Sequence, residues 1–489
     1  MRGAAARAAA LGSHEQALTF LGQALEIATD PAEQAAFLER AGYSASHAGH
    51  HDRGESLYRR AIELYRGLGD RISAVRTTAA LADAFVDAYR VGQALALVEP
   101  AFEEYADLAD DPAGISLASE LARVLYLNQE QGRSIALADR ILEIAERRNL
   151  LPVIADSLVT KGTALGLLGR GYEGIGALEA GRKLAETRGL THTLQRALTN
   201  LGVVLGYRDP RAGFEVTREG FELSRRLGDR GGALFELANA LEQAVLVGEW
   251  DWALAELAEA LSTELDAPNR AALLAEGLPL RAFRGEDVGE DLAEAEALMS
   301  RSGIPYSDYM ADVRFVRAEV ALATNRLRDA YEEAITDALA SAETAPRNTS
   351  LAARAAVWTR DAERARAALG VLDESGVHGM AVELSRTTIR AGIAALEGRR
   401  TEALAAYREA FRGWRDLGLP WYVALAAIDA LTVLGPDEPE LQAAGEEARA
   451  ILAGLGAKPF LARLEAAMEQ PRSQGSEAPI SAPPPAPTS

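Results

Sequence analysis

Small and large apolar residues recur along the chain in a helical rhythm. Gly54, Tyr58 and Ala61 make a small–large–small triplet at i, i+4 and i+7, and the same triplet stands at Ala94/Val98/Ala101 and Gly174/Leu178/Gly181. Ala17/Leu21/Ala24, Ala253/Leu257/Ala260 and Ala403/Tyr407/Ala410 share it, and Ser134/Ala138/Ile141 is a looser copy. From Gly54 to Ala94, Ser134 and Gly174 the step is 40 residues each time, and Gly213 with Gly220 continues it one residue early. Upstream of these lie further small residues at matching places, Gly42, Ala82, Ala122, Gly162 and Gly202. A turn separates the two sets, often at a glycine: Gly12, Gly49, Gly169, Gly248 and Gly398. Two runs of helical period on either side of a breaker predict a helical hairpin.

Packing explains why the residues at these marks are small. The first helix of a hairpin must lie against the second and against the first helix of the next hairpin, and small side chains let the axes approach to about 8–10 Å. A lone hairpin cannot bury its apolar stripe, so neighbours must stack. The triplets Leu68-Gly69-Asp70, Arg188-Gly189-Leu190 and Leu227-Gly228-Asp229 predict helix ends with a left-handed glycine. The expected fold is therefore all-α, an α-solenoid of stacked hairpins.

These positions resemble the tetratricopeptide (TPR) motif, in which small residues occupy the eighth, twentieth and twenty-seventh places. Gly162, Gly174 and Gly181 fall on those marks, Gly169 on the turn, and Leu178 on the large position of the second helix. The resemblance implies a right-handed superhelix. The repeat here is longer than the usual unit of about 34 residues, as in the TPR-like arrays of large bacterial signalling ATPases and transcription activators. The run from Glu447 to Leu461, with Gly456-Ala457-Lys458-Pro459 in its middle, is similar to the closing helices of proteins that join a class III nucleotide cyclase, an ATPase module and a TPR array.

Four regions follow along the chain. A regular array covers residues 1–265, irregular and degenerate helical repeats 266–370, C-terminal hairpins with closing helices 371–468, and a Pro/Ser/Ala-rich tail, expected to be disordered, 469–489. Breaks are expected at Ala267-Pro268-Asn269 and Gly303-Ile304-Pro305, and at Pro436 and Pro439. Placing Ala17 and Ala24 on the second-helix marks puts Met1 inside the first helix. The array is thus expected to open on a truncated hairpin, continuing a longer protein upstream.

Composition narrows the function. Net charge is −21, which repels a phosphate backbone, so no nucleic-acid partner is expected. Cysteine is absent, which removes disulfides and thiolate metal sites and suits a cytoplasmic location. The longest apolar run, Tyr422 to Leu434, contains Asp429 and is too short to span a bilayer.

Candidate chemistry is sparse. Gly169-Arg170-Gly171-Tyr172-Glu173-Gly174 matches a dinucleotide-binding fingerprint, but helical sequence flanks it and the repeat already accounts for the glycines. His47, His50, His51 and Asp52 share one interhelical turn, where a solvated loop is a simpler reading than a metal site. No enzyme activity, cofactor or metal is expected. In a TPR stack the inner face of each first helix lines a concave groove. Carried over, the resemblance places Tyr43, His47, Arg76, Asp83, Arg123, Tyr126, Asp156, Arg196 and Tyr207 there. The expected function is a protein-interaction scaffold that binds a peptide or partner domain in this groove. The alternative is the sensory region of a signalling ATPase, nucleotide cyclase or transcription regulator.

Overall fold

The computed structural model describes residues 2–10, 12–88, 90–206, 208–302, 313–340 and 344–469. Tyr207, the Gly303-Ile304-Pro305 break and residues 470–489 of the tail lie outside the described residues. Among the described residues there are 25 α-helices and no strand.

The first half pairs α1 (Arg2–Ala10) with α2 (His14–Ile27), α3 (Pro31–His47) with α4 (His51–Gly67), and α5 (Arg71–Asp87) with α6 (Val91–Glu104). Next come α7 (Pro112–Leu127) with α8 (Gln131–Arg148), α9 (Leu151–Leu167) with α10 (Gly171–Arg188), and α11 (Thr191–Gly206) with α12 (Pro210–Leu227). The second half pairs α13 (Arg230–Val247) with α14 (Trp250–Leu261), α15 (Ala267–Phe283) with α16 (Gly289–Ser302), and α17 (Val313–Ala323) with α18 (Leu327–Ala340). It continues with α19 (Ala345–Trp358) and α20 (Ala362–Glu374), α21 (Met380–Leu396) and α22 (Arg400–Asp416), and α23 (Pro420–Leu434) and α24 (Pro439–Leu455), before α25 (Lys458–Met468) closes the chain of helices. Odd-numbered helices from α3 to α23 also touch their odd-numbered neighbours, so the hairpins form a solenoid of TPR-like units. The pairing runs on through the described part of 266–370.

Local chemistry sets the helix boundaries. Asp30, Asp111 and Asp209 each cap a helix that begins with the following proline, and their carboxylates accept from Glu33 N (3.2 Å), Ala113 N (2.9 Å) and Ala212 N (3.0 Å). The aspartate satisfies an orphan amide, and proline at the first helical position has no amide to leave unpaired. At the turns, Gly49 and Gly169 hold φ of +83° and +87°, a region that side chains with a Cβ rarely adopt.

The small residues lie where rods touch. Ala17, Ala82, Ala94, Ser134, Ala253 and Ala403 are fully buried. Gly42 lies under the Tyr58 ring, and the Cβ positions of Gly162 and Gly174 fall against the backbone of the partner helix. Ser134 donates a hydrogen bond to the Ala122 carbonyl across the crossing, at 2.7 Å.

The repeat pattern predicts a purely local stack, but the second half closes on itself. α23 packs on α13 and α19, and α25 packs on α15 and α23. Arg211 donates to the Gly418 carbonyl at 2.9 Å across a separation of 207 residues, and Arg284 donates to the Leu455 carbonyl at 3.1 Å across 171 residues. An aromatic cluster seals the joint: Trp421 lies 5.0 Å from Trp250, 5.1 Å from Phe283 and 4.8 Å from Phe460 between ring centres. The lone charge of the longest apolar run is explained here too. Asp429 accepts from Arg354 at 3.2 Å and from the Trp358 indole at 2.7 Å, buried between α19 and α23.

Candidate functional site

The inner faces of the odd helices α3 to α11 bring most of the expected groove residues together. Tyr43 and His47 sit one turn apart on α3 with ring centres 4.0 Å apart, and His14 of α2 lies 5.1 Å from His47. Tyr43 remains 46 % exposed. Arg76 of α5 donates twice to Glu39, at 3.0 and 2.9 Å, and Glu39 also accepts from the Tyr65 hydroxyl at 2.9 Å. Arg123 of α7 pairs with Asp83 of α5, and Arg196 of α11 pairs with Asp156 of α9. Each pair is separated by 40 residues. One repeat length thus carries a cation on one rung to a carboxylate on the previous one. Tyr126 is buried, 5 % exposed, so it belongs to the groove's floor and offers no exposed anchor. Tyr207 lies outside the described residues.

The structure adds acidic residues that the groove positions alone did not suggest. Asp87 is 3.8 Å and Glu120 is 3.7 Å from the Arg123 guanidinium. Asp87 follows Asp83 by one turn and Glu120 precedes Arg123 by one turn, so helical spacing from the chosen positions would have found both. Asp229, the N-cap of α13, is close enough to Asp87 for its charge to push that carboxyl up.

The groove is reached by solvent yet walled by protein. The Asp83 side chain is 37 % exposed. Enclosure pushes its carboxyl up, but Arg123, His192 and Arg196 together more than offset this and hold it below the ordinary value. Asp87 shares the enclosure and also faces Asp83, which together push it up to about 6. Enclosure raises Glu120 as well, against the pull of Arg123. His192, at the mouth of α11, is pushed down by the same walls, against the pull of Asp83.

Next to the floor, Glu236 of α13 is 2 % exposed and shares a hydrogen bond with the Thr199 hydroxyl, while its Oε2 has no partner. Burial pushes its carboxyl up to about 7 from an ordinary 4.5. The folded chain therefore holds this proton more tightly than the unfolded one, so its stabilising effect is complete below pH 4.5 and is lost as pH rises through 7. Glu236→Gln keeps the shape and removes the titration. The melting temperature of this variant, compared with that of the parent chain from pH 5 to pH 9, should gain on the parent's up to about pH 7 and then keep a constant lead. The gain approaches on the order of 3 kcal/mol at the alkaline end. A constant difference across that range would show that Glu236 is not buried as described.

A second enclosure lies in the closed half. Inner-face residues of α11, α13, α15, α17, α19, α21 and α23, with Pro210 of α12 and Trp414 of α22, line a partly open chamber of about 140 Å³. Phe283, Phe315, Trp414, Trp421 and Tyr422 give it aromatic walls, and Glu242, Glu276, Glu319, Arg347 and Arg354 supply its charges. Among the described residues, no group of three or more His, Asp or Glu side chains is arranged to hold a metal ion. The glycine-rich run Gly169–Gly174 joins α9 to α10, with Gly171 against the Arg208 guanidinium and Gly174 against α9. Its place is a packed helix crossing and not a strand-to-helix turn.

No protein-family model matches the chain, and no curated protein matches it significantly. Among solved structures it is similar to yeast Tom70, with 14 % identity, 94 % of each chain covered and a TM-score of 0.30. It is also similar to a monomeric mutant of IFIT1 solved with a capped RNA, with 12 % identity, 88 % of this chain and 90 % of that one covered, and a TM-score of 0.33. A third similarity is to the Naa15/Naa10 complex bound to HypK, with 13 % identity, coverage of 94 % and 86 %, and a TM-score of 0.25. Such distant likenesses do not transfer a function.

Proposed function

We propose that the chain is a cytoplasmic, non-enzymatic interaction array that binds an extended basic segment of another polypeptide along the groove of α3 to α11. The observation that carries this reading is the ladder on the groove floor. Asp83 and Asp156 each pair with one arginine, which leaves Asp87, Glu120 and Asp229 in excess. Lysine or arginine side chains would meet these carboxylates, and beside Glu120, whose side chain is 14 % exposed, charge attraction is screened less than at an open surface. Tyr43 on His47 offers an exposed aromatic platform for one anchor residue.

The test is a binding titration of lysine- and arginine-rich peptides against their charge-reversed counterparts. Basic peptides should bind, weaken with added salt, and lose roughly tenfold in affinity in the Asp87→Asn/Glu120→Gln variant. Equal affinity for both peptide sets, or no binding at about 100 μM, would refute the reading.

A second reading, a regulatory region for a signalling ATPase, cyclase or transcription regulator, is favoured by one observation. The segment from Glu447 to Leu461, which resembles the closing helices of such proteins, spans the end of α24 and the start of α25, and α25 packs on α15 and α23 in the closed half. An ATPase or cyclase of that class whose rate is unchanged by added chain would count against it.

A further inference from the structure

The chamber of the closed half has a specific chemical bias. Its volume, about 140 Å³, is close to that of cavities of roughly 150 Å³ that hold a benzene-sized molecule. Both of its arginines are already engaged. Arg347 pairs with Glu242 and lies 4.3 Å from the Phe315 ring centre, and Arg354 pairs with Asp429. Glu319 also lines the chamber, and it forms no hydrogen bond or ion pair among the described residues. Gln243 is 7 % exposed, and its Oε1, buried against the chamber, has no partner.

The wall therefore presents an unpaired carboxyl group, an unpaired amide oxygen and five aromatic rings, against one unpartnered amide donor, Asn239 Nδ2. Acceptors and ring faces share one preference, since both attract positive charge. An anion would face three acidic side chains, Glu242, Glu276 and Glu319. On the alkaline side of its titration a neutral guest would leave Glu319 facing only Arg347, whose charge is already shared with Glu242. We infer that this chamber is a binding site for a small organic cation, an amine or ammonium of about the size of a substituted benzene ring, held by Glu319 and the surrounding aromatic side chains.

Trp414 and Trp421 line the chamber, so the tryptophan fluorescence of the full chain reports on occupancy. Enclosure pushes the Glu319 carboxyl up to about 8, against the pull of Arg347, so the titrations belong on the alkaline side of that value, where it is ionised. Benzylamine is titrated against benzyl alcohol, and tetramethylammonium against tert-butanol. At least one cation should change the fluorescence saturably below about 10 mM, and its neutral counterpart should bind roughly tenfold more weakly. Glu319→Gln relieves an unpaired enclosed charge, so that variant should fold, as checked by its melting curve, and should lose the preference for the cation. Ala381→Trp, which fills the lining, should abolish the response, whereas Glu120→Gln in the first-half groove should leave it unchanged. No response to either cation, equal binding of cation and neutral partner, or a preference that survives Glu319→Gln would overturn the assignment.

Discussion

Gly174→Ala should destabilise the array while Gly176→Ala, two residues further along the same helix, stabilises it. Both glycines lie inside α10, where glycine ordinarily costs about 0.5–1 kcal/mol relative to alanine. Gly176 is exposed, with nothing within 4 Å of its Cβ position, so alanine there gains that propensity and meets no neighbour. At Gly174 the added carbon would lie 2.6 Å from the Gly162 carbonyl oxygen and 2.9 Å from the Gly166 amide nitrogen. Those neighbours are backbone, and no rotamer change relieves them. The helices must separate, and the burial of Leu178 against Gly162 goes with the crossing. Overpacking of this kind costs about 1–3 kcal/mol, and Gly174→Leu should exceed the upper end. Thermal melts followed by circular dichroism measure both signs. Similar melting temperatures for Gly174→Leu and Gly176→Leu would mean that α9 and α10 do not cross at these residues.

Crossings of this kind are legible in the amino-acid sequence alone. Glycine and alanine at these places are dictated by contact between adjacent helices, which is local in sequence, so the 40-residue rhythm reveals hairpins, turns and register directly. The Asp83–Arg123 and Asp156–Arg196 pairs are legible as positions but not as pairs, because the groove marks state which residues face inward and not which touch. Asp87 and Glu120 fall outside the marked positions, although their helical spacing puts them on the same face. In the described part of 266–370 the helices persist, but the marks change. Leu257 presses on Gly277 of α15, a large-on-small contact like that of Leu178 on Gly162, whereas Asn348 of α19 donates to the buried Asp337 of α18, so the crossing of α18 with α19 uses different residue types. Closure of the second half is not legible at all. It depends on small rotations accumulated over several hairpins. Its aromatic residues, Trp250, Trp421 and Phe460, lie far apart in the sequence and outside the repeat marks, and meet only in the folded chain.

That closure makes the second large prediction, because Trp421 holds several distant helices at once. Its ring touches Trp250 of α14, Phe283 of α15 and Phe460 of α25, and it is 3 % exposed. Trp421→Ala should cost about 3–5 kcal/mol through lost burial and the cavity left behind. In an open solenoid such a loss would stay with one hairpin, since each unit contacts only its neighbours. Here the loss falls on the joint between α13–α15 and α23–α25, so the ring should open. Small-angle scattering should show a larger radius of gyration, and the melt should resolve into two transitions where the parent half melts as one. Phe411→Ala is the control: Phe411 is 6 % exposed and stacks on Tyr407 within α22, away from the joint. It should lower the melting temperature without expanding the molecule. If Trp421→Ala stays as compact as Phe411→Ala, the two ends of the closed half are held by something other than this aromatic joint, and Arg211 and Arg284, which reach the Gly418 and Leu455 carbonyls, become the contacts to remove next.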